Sequence, residues 1–390
     1  MNYVYVTVPH NPHYHQISLD ELLFGTGPAT DRCSVAGTRT YRYADRVGPT
    51  FAAKVDPAAL IGTLRRFNES VAELAEKDRH SLYRTFLIPK QKGGYRRIDA
   101  PCDELMGAQR RLKLILEREF CALYHTAAYA YVKKRCTVDA VKRHQANESK
   151  WFGKYDLHNF FGSTTKEYLL SQLRTIFPFS EIMIFPVGRE ELSKALDLAF
   201  LDGVLPQGTP LSPTLTNLMM IPFDFEFSRL LRKEQHSPYV YTRYADDFII
   251  SSRTTFDPRH IEQLIVDTLR SFQAPFSINS SKTRYGSANG SNWNLGVMLN
   301  KDNQITIGHK RKRQFAAILH NCGADRKRGI VWQPEDLYTL LGQYSYYRMV
   351  ERDGIDAVVA KVNQSLGMDV IDRIKHDLHD QCVSPGKSIL

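Results

Sequence analysis

Paired cysteines are missing from this chain. Its six cysteines, Cys33, Cys102, Cys121, Cys136, Cys322 and Cys382, include no C-x-x-C pair. That argues against a disulfide framework or a zinc ribbon, and for reduced thiols in a cytoplasmic protein. Long apolar runs are missing too: nothing approaches the ~20 residues that span a bilayer, so no membrane association is expected. The opening Met1-Asn2-Tyr3-Val4 lacks the basic and apolar regions of a signal peptide. No internal repeat or low-complexity tract occurs. What remains is 390 residues of ordinary globular composition, 43% hydrophobic and 24% charged, enough for two or three subdomains. Only the charge leans. Lys plus Arg number 52 against 42 acidic residues, a net +10 that suits a partner with a phosphate backbone.

Within residues 1–80, Ser18-Leu19-Asp20-Glu21 has capping-box spacing before Leu22-Leu23-Phe24, and Asp56-Pro57 opens a helix expected over about 57–77. His10, His13 and His15 cluster there without a cysteine or carboxylate at ligand spacing, which reads as a polar segment rather than a metal site. Residues 84–101 read as a hairpin around a basic glycine turn, Lys90 to Gly94. Glu104 to Tyr124 reads as a helix with Leu105, Ala108, Leu112, Ile115 and Leu116 on one face. A helix over about 137–147 and a buried strand from Trp151 ending at Asp156 follow. Further on come a helix near 189–200 and one long helix over 213–232. Then come strands on both sides of Tyr244-Ala245-Asp246-Asp247, a helix over 260–272 and a short strand at Phe276 to Asn279. A hairpin is expected around Asp302-Asn303, and a mainly helical remainder from 309.

Tyr244-Ala245-Asp246-Asp247 is flanked by β-prone apolar residues, so it places two adjacent carboxylates at the tip of a strand-turn-strand. A solvated Asp-Asp turn has the same local sequence; the companions decide between the readings. Asp156 also falls at a strand end, and the three carboxylates together suit hard divalent cations with oxygen ligands. Two-metal nucleotidyl transfer needs carboxylates on rigid strands, to lower the pKa of an attacking hydroxyl and to offset charge in the transition state. A Gly-Pro loop, Leu205-Pro206-Gln207-Gly208-Thr209-Pro210, lies between them and could press its backbone on a base pair.

These pieces stand in a fixed order. Pro89-Lys90-x-x-Gly93-Gly94-x-Arg96-Arg97-Ile98 comes first, then Tyr155-Asp156-Leu157-x-x-Phe160-Phe161. Leu205-Pro206-Gln207-Gly208-x-Pro210-x-Ser212-Pro213, Tyr244-Ala245-Asp246-Asp247, Ile278-Asn279-x-x-Lys282-Thr283 and Leu295-Gly296 follow. The ordered set, covering about 85–300, resembles the reverse transcriptase family. The resemblance implies an α+β, right-hand polymerase with fingers, an RRM-like antiparallel palm and a mainly helical thumb. It implies an N-terminal extension over 1–80, fingers and palm over 81–300, and thumb over 301–390. Asp156, Asp246 and Asp247 would be catalytic and bind Mg2+, or Mn2+ in its place, with the Leu157 carbonyl as a further ligand. Lys90, Lys92 and Arg96 would hold the dNTP triphosphate, Gln207 would pack on the nucleotide, and Lys282 would approach the phosphates as a general acid. Phe161 would lie under the sugar and exclude a 2′-hydroxyl. Leu295 and Gly296 would begin the primer grip. Lys310, Arg311, Lys312, Arg313, Tyr344 and Tyr346 would meet nucleic acid in the thumb.

The Gly-Gly-Tyr-Arg-Arg-Ile-Asp-Ala-Pro segment resembles the bacterial retron and abortive-infection, defence-associated branch. No RNase H, protease, integrase or zinc-bearing endonuclease segment follows the thumb, which argues against the retroviral and mobile group II intron types. The retron elements Asn-Ala-x-x-His and Val-Thr-Gly have poor counterparts in Asp139 to His144 and Asn294 to Val297, and this favours a stand-alone defence enzyme. The expected partners are a structured non-coding RNA template and its cDNA product, and a homo-oligomer is compatible with the sequence. A retron enzyme, a template-independent or protein-primed DNA synthesiser, and a catalytically dead RNA-binding scaffold remain the alternatives. The intact carboxylates argue against the last, because a dead site has no physical reason to keep mutually repelling charges.

Overall fold

The computed structural model describes residues 56–90, 93–120, 122, 124–234, 238–287 and 296–383. It also gives five two-residue strands, Tyr3–Val4, Thr7–Val8, Ile17–Ser18, Arg39–Thr40 and Tyr43–Ala44. The helix expected after Ser18 and the cluster of His10, His13 and His15 lie outside the described residues. The chain divides into two compact units: Met1–Cys136 with Trp151–Tyr285, and Thr137–Lys150 with Gly286–Leu390. Among the described residues no helix is long and apolar enough to cross a membrane.

In the first unit the helix Pro57–Ser70 starts as its sequence requires, with the Asp56 carboxylate accepting from the Ala58 N–H at 2.9 Å and Pro57 in the first turn. Leu60, Leu64 and Phe67 are its buried stripe. The hairpin pairs β1 (Tyr83–Pro89) with β2 (Tyr95–Pro101) in antiparallel register, Phe86 opposite Ile98 and Ile88 opposite Arg96. The next helix, Asp103–Ile115, buries Leu105, Ala108 and Leu112 as expected, but it does not run on to residue 124. A π-turn, Leu116–Phe120, ends it and seats Phe120 in the core, stacked on Phe179 at 4.5 Å.

The single helix expected over 213–232 is two, Ser212–Met219 and Ile221–Lys233. Pro222 explains the break, since it has no N–H for the carbonyl one turn back and its ring crowds that turn. Further on, the strand expected at Phe276 to Asn279 is reduced to one bridge, Ile278 opposite Leu157.

The sheet contains β3 (Trp151–Asp156), β4 (Val240–Tyr244), β5 (Asp247–Ser252) and β6 (Arg284–Ser287), in the order β6-β3-β5-β4. One face of its central strands is core. Phe248 stacks on Phe223 at 5.3 Å, Phe223 on Phe227 at 5.5 Å, and Tyr241 meets Phe227 edge-on at 4.9 Å. Such pairs add about 0.5–1.5 kcal/mol each beyond their burial. This mixed helix-and-sheet architecture is the α+β, right-hand polymerase class expected from the motifs.

The second unit is mainly helical. His309–Lys327, Pro334–Val350, Arg352–Leu366 and Val370–Val383 bury Phe315, Leu319, Leu337, Leu340, Ile355 and Val359 among others. A small hairpin, Met298–Leu299 with Ile305–Thr306, turns through Asn303, whose amide and carbonyl bond the carbonyl and amide of Gln145 at 2.9 and 2.8 Å. Gln145 belongs to the helix Thr137–Ala146, which therefore packs here although residues 151–285 separate it in sequence.

Candidate active site

The centre is built by strand register. β5 pairs antiparallel with β3 so that Asp247 stands directly opposite Asp156, and Phe248 opposite Tyr155. Side chains alternate along a strand, so the two aspartates share one face while Phe248 and Tyr155 enter the other. Between β4 and β5 the chain turns through Ala245, whose φ is 57°. A left-handed alanine costs about 1–2 kcal/mol, and its surroundings hold it in place. The Arg243 guanidinium donates to the Ala245 carbonyl at 3.2 Å, and the Leu157 N–H donates to the Asp246 carbonyl at 3.1 Å. That bond ties the turn to the end of β3, beside Asp156.

Like charges facing each other across a ladder are destabilising, and the centre records that strain. Burial, then the neighbouring Asp247 and Asp156 charges, push the Asp246 carboxyl up to about 6, against a partial pull from Lys282. Burial raises the Asp247 carboxyl as well, while Lys154 beside it pulls back. Two ammonium groups stand on these carboxylates. Lys282 Nζ donates to both oxygens of Asp156 at 2.9 Å, and Lys154 Nζ donates to Asp247 Oδ2 at 2.9 Å. Among the described residues no three of His, Cys, Asp and Glu are gathered as a ready cage for a metal ion. The donor chemistry nonetheless fits one: three hard oxygen ligands on fixed backbone, with more negative charge than the lysines offset.

The other expected residues fall as follows. Lys90 and Arg96 are exposed on the hairpin, at and just beyond its turn; Lys92 lies outside the described residues. The Gln207 carbonyl accepts from the Asp99 N–H at 2.8 Å, which lays the Gly-Pro loop against β2. Gly208 makes that approach possible: its φ is 110°, and an added Cβ would sit 2.7 Å from Ile98. Phe161 opens a short turn beyond Asp156, half-buried, with its ring edge-on to Phe160 at 5.7 Å. Lys282 follows a turn closed by its own N–H on the Asn279 carbonyl at 2.9 Å, while the Asn279 N–H holds the Asp156 carbonyl at 2.7 Å. Leu157 is buried and bridged to Ile278.

In the second unit Leu295 lies outside the described residues. Gly296, Arg311 and Tyr346 come together: the Arg311 guanidinium donates to the Gly296 carbonyl, and the Tyr346 hydroxyl lies 3.8 Å from where a Gly296 Cβ would be. Lys312 is engaged by Glu351, whereas Lys310 and Arg313 are exposed. Tyr344 stacks on Phe315 at 6.4 Å, with the Arg348 guanidinium 6.0 Å from its ring centre.

Sequence reasoning missed the supports. Arg243 and Asp224, 1% and 0% exposed, form a buried pair beneath the turn, with Nε–Oδ1 at 2.8 Å and Nη2–Oδ2 at 2.7 Å. Tyr241 donates to the same Asp224 at 2.8 Å, and Asn217 accepts from Arg243 at 3.1 Å while donating to the Ala130 carbonyl at 2.6 Å. Tyr131, next in the chain, is 52% exposed at φ 59°; burial, then the nearby Asp246 charge, pushes its hydroxyl up, with Arg96 pulling back. An arginine inside an apolar strand was the available signal for Arg243. For Lys154, it was its place two residues before Asp156, on the same face.

The sheet thus presents acidic residues at the ends of adjacent strands, an arrangement compatible with a nucleotide polymerase. Residues 88–315, more than half of the chain, match the family described as reverse transcriptase (RNA-dependent DNA polymerase). The chain belongs to that family, and its enzyme class is RNA-directed DNA polymerase. It is 30% identical over 266 residues to the Retron Ec83 reverse transcriptase of Escherichia coli, covering 64% of this chain and 81% of that one. It is 28% identical over 289 residues to the Retron Mx65 reverse transcriptase of Myxococcus xanthus, covering 70% and 63%. These relatives make it a bacterial, retron-like reverse transcriptase. Among solved structures it is similar to telomerase from Candida albicans in complex with a fragment of telomeric RNA, at TM-score 0.44 and 10% identity, over 86% of this chain and 71% of that one. It is also similar to a truncated apo telomerase from Candida tropicalis, at TM-score 0.38 and 13% identity, over 59% of this chain and 56% of that one.

Proposed function

We propose that this chain makes cDNA by two-metal nucleotidyl transfer on a structured non-coding RNA, in the cytoplasm, as part of anti-phage defence. The observation that carries the chemistry is the register that sets Asp247 opposite Asp156 with Asp246 in the adjoining turn. Asp156, Asp246 and Asp247, with the Leu157 carbonyl, would hold Mg2+ or Mn2+. Bound there, the cations would lower the pKa of a primer 3′-hydroxyl and offset charge on the reacting phosphate. The remaining work falls to this chain's own side chains. Lys90, Lys92 and Arg96 bind the triphosphate of the dNTP, with Arg96 suited to two phosphate oxygens at once. Gln207 and its loop support the nucleotide against the template base. Phe161 limits the space at the sugar's 2′ position. Lys282, released from Asp156, delivers a proton to the leaving pyrophosphate.

Leu295, Gly296, Lys310, Arg311, Arg313, Tyr344 and Tyr346 serve the primer and RNA in this reading, while Lys312, engaged by Glu351, supports the helix that carries Lys310, Arg311 and Arg313. The domains are an N-terminal extension over 1–80, fingers and palm over 81–300, and a thumb over 301–390. The RNA assignment rests on the family's RNA-dependent activity and the retron relatives, and the defence assignment on family analogy alone. The central test is dNTP incorporation by the Asp246→Ala/Asp247→Ala protein. Loss of at least about a thousandfold is expected, with the fold and RNA binding retained. Near wild-type incorporation would remove the assignment and leave an RNA-binding scaffold. Sequencing nucleic acid that copurifies with the protein identifies template and product together.

A further inference from the structure

We infer that Lys154 is a positioning residue that, with Lys282, caps the carboxylate centre in a resting form which a divalent cation has to open. This rests on the reading that Asp156, Asp246 and Asp247 bind the cation. Lys154 lies two residues before Asp156 on β3, so the alternation of the strand puts both on one face. Its register partner is Ile249, two residues beyond Asp247, so the ammonium reaches Asp247 by a diagonal step. The pair is drawn partly out of water, with side chains 29% and 22% exposed and Nζ 2.9 Å from Oδ2.

The two lysines differ in what they hold and in how they are mounted. Lys282 takes both oxygens of Asp156, and its side chain is 55% exposed beyond a turn. Lys154 is fixed on a central strand and takes one oxygen of Asp247, leaving Oδ1 for another partner. A divalent ion ligated by carboxylate oxygens competes with Lys282 outright, and with Lys154 through charge and through Oδ2. Lys154 therefore sets the orientation of Asp247 before loading, and opposes premature loading. The lysine pair makes a centre that stays folded without metal and is loaded once other ligands join the cation.

The test uses Mn2+ alone as the probe, with affinity read from the free-ion EPR signal and stability from thermal unfolding. Lys154→Met is expected to bind Mn2+ about tenfold tighter than the wild type, because one competing positive charge is gone. Its unfolding midpoint should be lower than wild type without metal and equal to it in saturating Mn2+. Lys154→Arg should restore the wild-type affinity, and Lys282→Met should also tighten binding. In an Asp247→Asn background, Lys154→Met should change nothing further. Unchanged Mn2+ affinity in Lys154→Met overturns the inference. So does a midpoint deficit that Mn2+ fails to erase, which marks a merely structural lysine. Should the Met variant not fold, Lys154→Gln is read by the same criteria. A wild type that binds no Mn2+ fails the metal reading and this inference with it. Wild-type binding with unaltered variants fails the inference alone.

Discussion

The two compact units use charge differently. Besides surface pairs such as Arg65 with Glu191 and Lys77 with Glu104, the first gathers ionic groups under and around one turn. Arg243 and Asp224 are sealed below Ala245, and Lys154 and Lys282 stand on the carboxylates above it. In the second, ionic groups tie helices together: Lys312 to Glu351 and Arg348 to Asp356 nearer the surface, and Arg326 to the buried Asp377. A buried pair that hydrogen-bonds on every side fixes a backbone conformation, and it is costly to break from one side. A partly exposed pair fixes little, and its loss is softened by water and by its neighbours. The turn between β4 and β5 needs the first kind because it holds a left-handed alanine; the helices of the second unit do not.

The largest stability effect tests that contrast directly. Arg243→Met strands the Asp224 charge inside the core and should destabilise the protein by about 3–5 kcal/mol. Arg326→Met should cost less, about 1–2 kcal/mol, because the buried Asp377 keeps Arg373 as a partner at 3.0 Å. Denaturant unfolding of both variants measures the difference, and equal losses would erase the distinction between the units.

The next effect belongs to the second unit. Burial drives the His144 imidazole down from 6.5 to about 3, with Arg143 pushing the same way. The neutral ring is the form the fold accepts. Its contribution is therefore complete above pH 6.5 and drains away as pH falls towards 3, by about 5 kcal/mol at most. Unfolding free energy measured from pH 7 to 4 should fall less steeply in His144→Gln than in the wild type.

Smaller effects separate the proposed substrate contacts. Phe161→Val should narrow discrimination of dNTP over rNTP by roughly ten- to a hundredfold, read from steady-state incorporation of each. An unchanged ratio would leave Phe161 as packing against Phe160. In the second unit, exposure sets which basic residues of the His309-Lys310-Arg311-Lys312-Arg313 run are expected to meet RNA. Lys310→Ala/Arg313→Ala should flatten the plot of log affinity for RNA against log salt by about 1.4, for two single-strand phosphate contacts. Lys312→Ala should leave that slope unchanged and lower stability instead, since Lys312 serves Glu351.

Much of this was legible from the chain alone, because the motifs sit where backbone periodicity does the placing. Strand alternation and a turn suffice to put Asp246 and Asp247 at the tip of a strand-turn-strand, whereas setting Asp247 opposite Asp156 took the pairing of β5 with β3. A cap at Asp56 and a proline at 57 suffice to start a helix. Pro222 could have been read as the break it makes in the helix after Ser212. The helix Asp103–Ile115 gives no such signal for its π-turn, which is settled by where Phe120 and Phe179 meet.

The sequence by itself determined the family, the three carboxylates, the basic hairpin and the helical character of the C-terminal part. Each is written in short-range order: residue types at fixed spacing, or a local period. The tertiary structure alone decided which charges face each other. Lys154 on Asp247 spans 93 residues of sequence and Lys282 on Asp156 spans 126. Arg243 reaches Asp224 through a folded core, and the helix Thr137–Ala146 joins the second unit across the whole of 151–285. A charge in a sequence has no partner until packing sets its distance and removes its water, and both depend on every element around it.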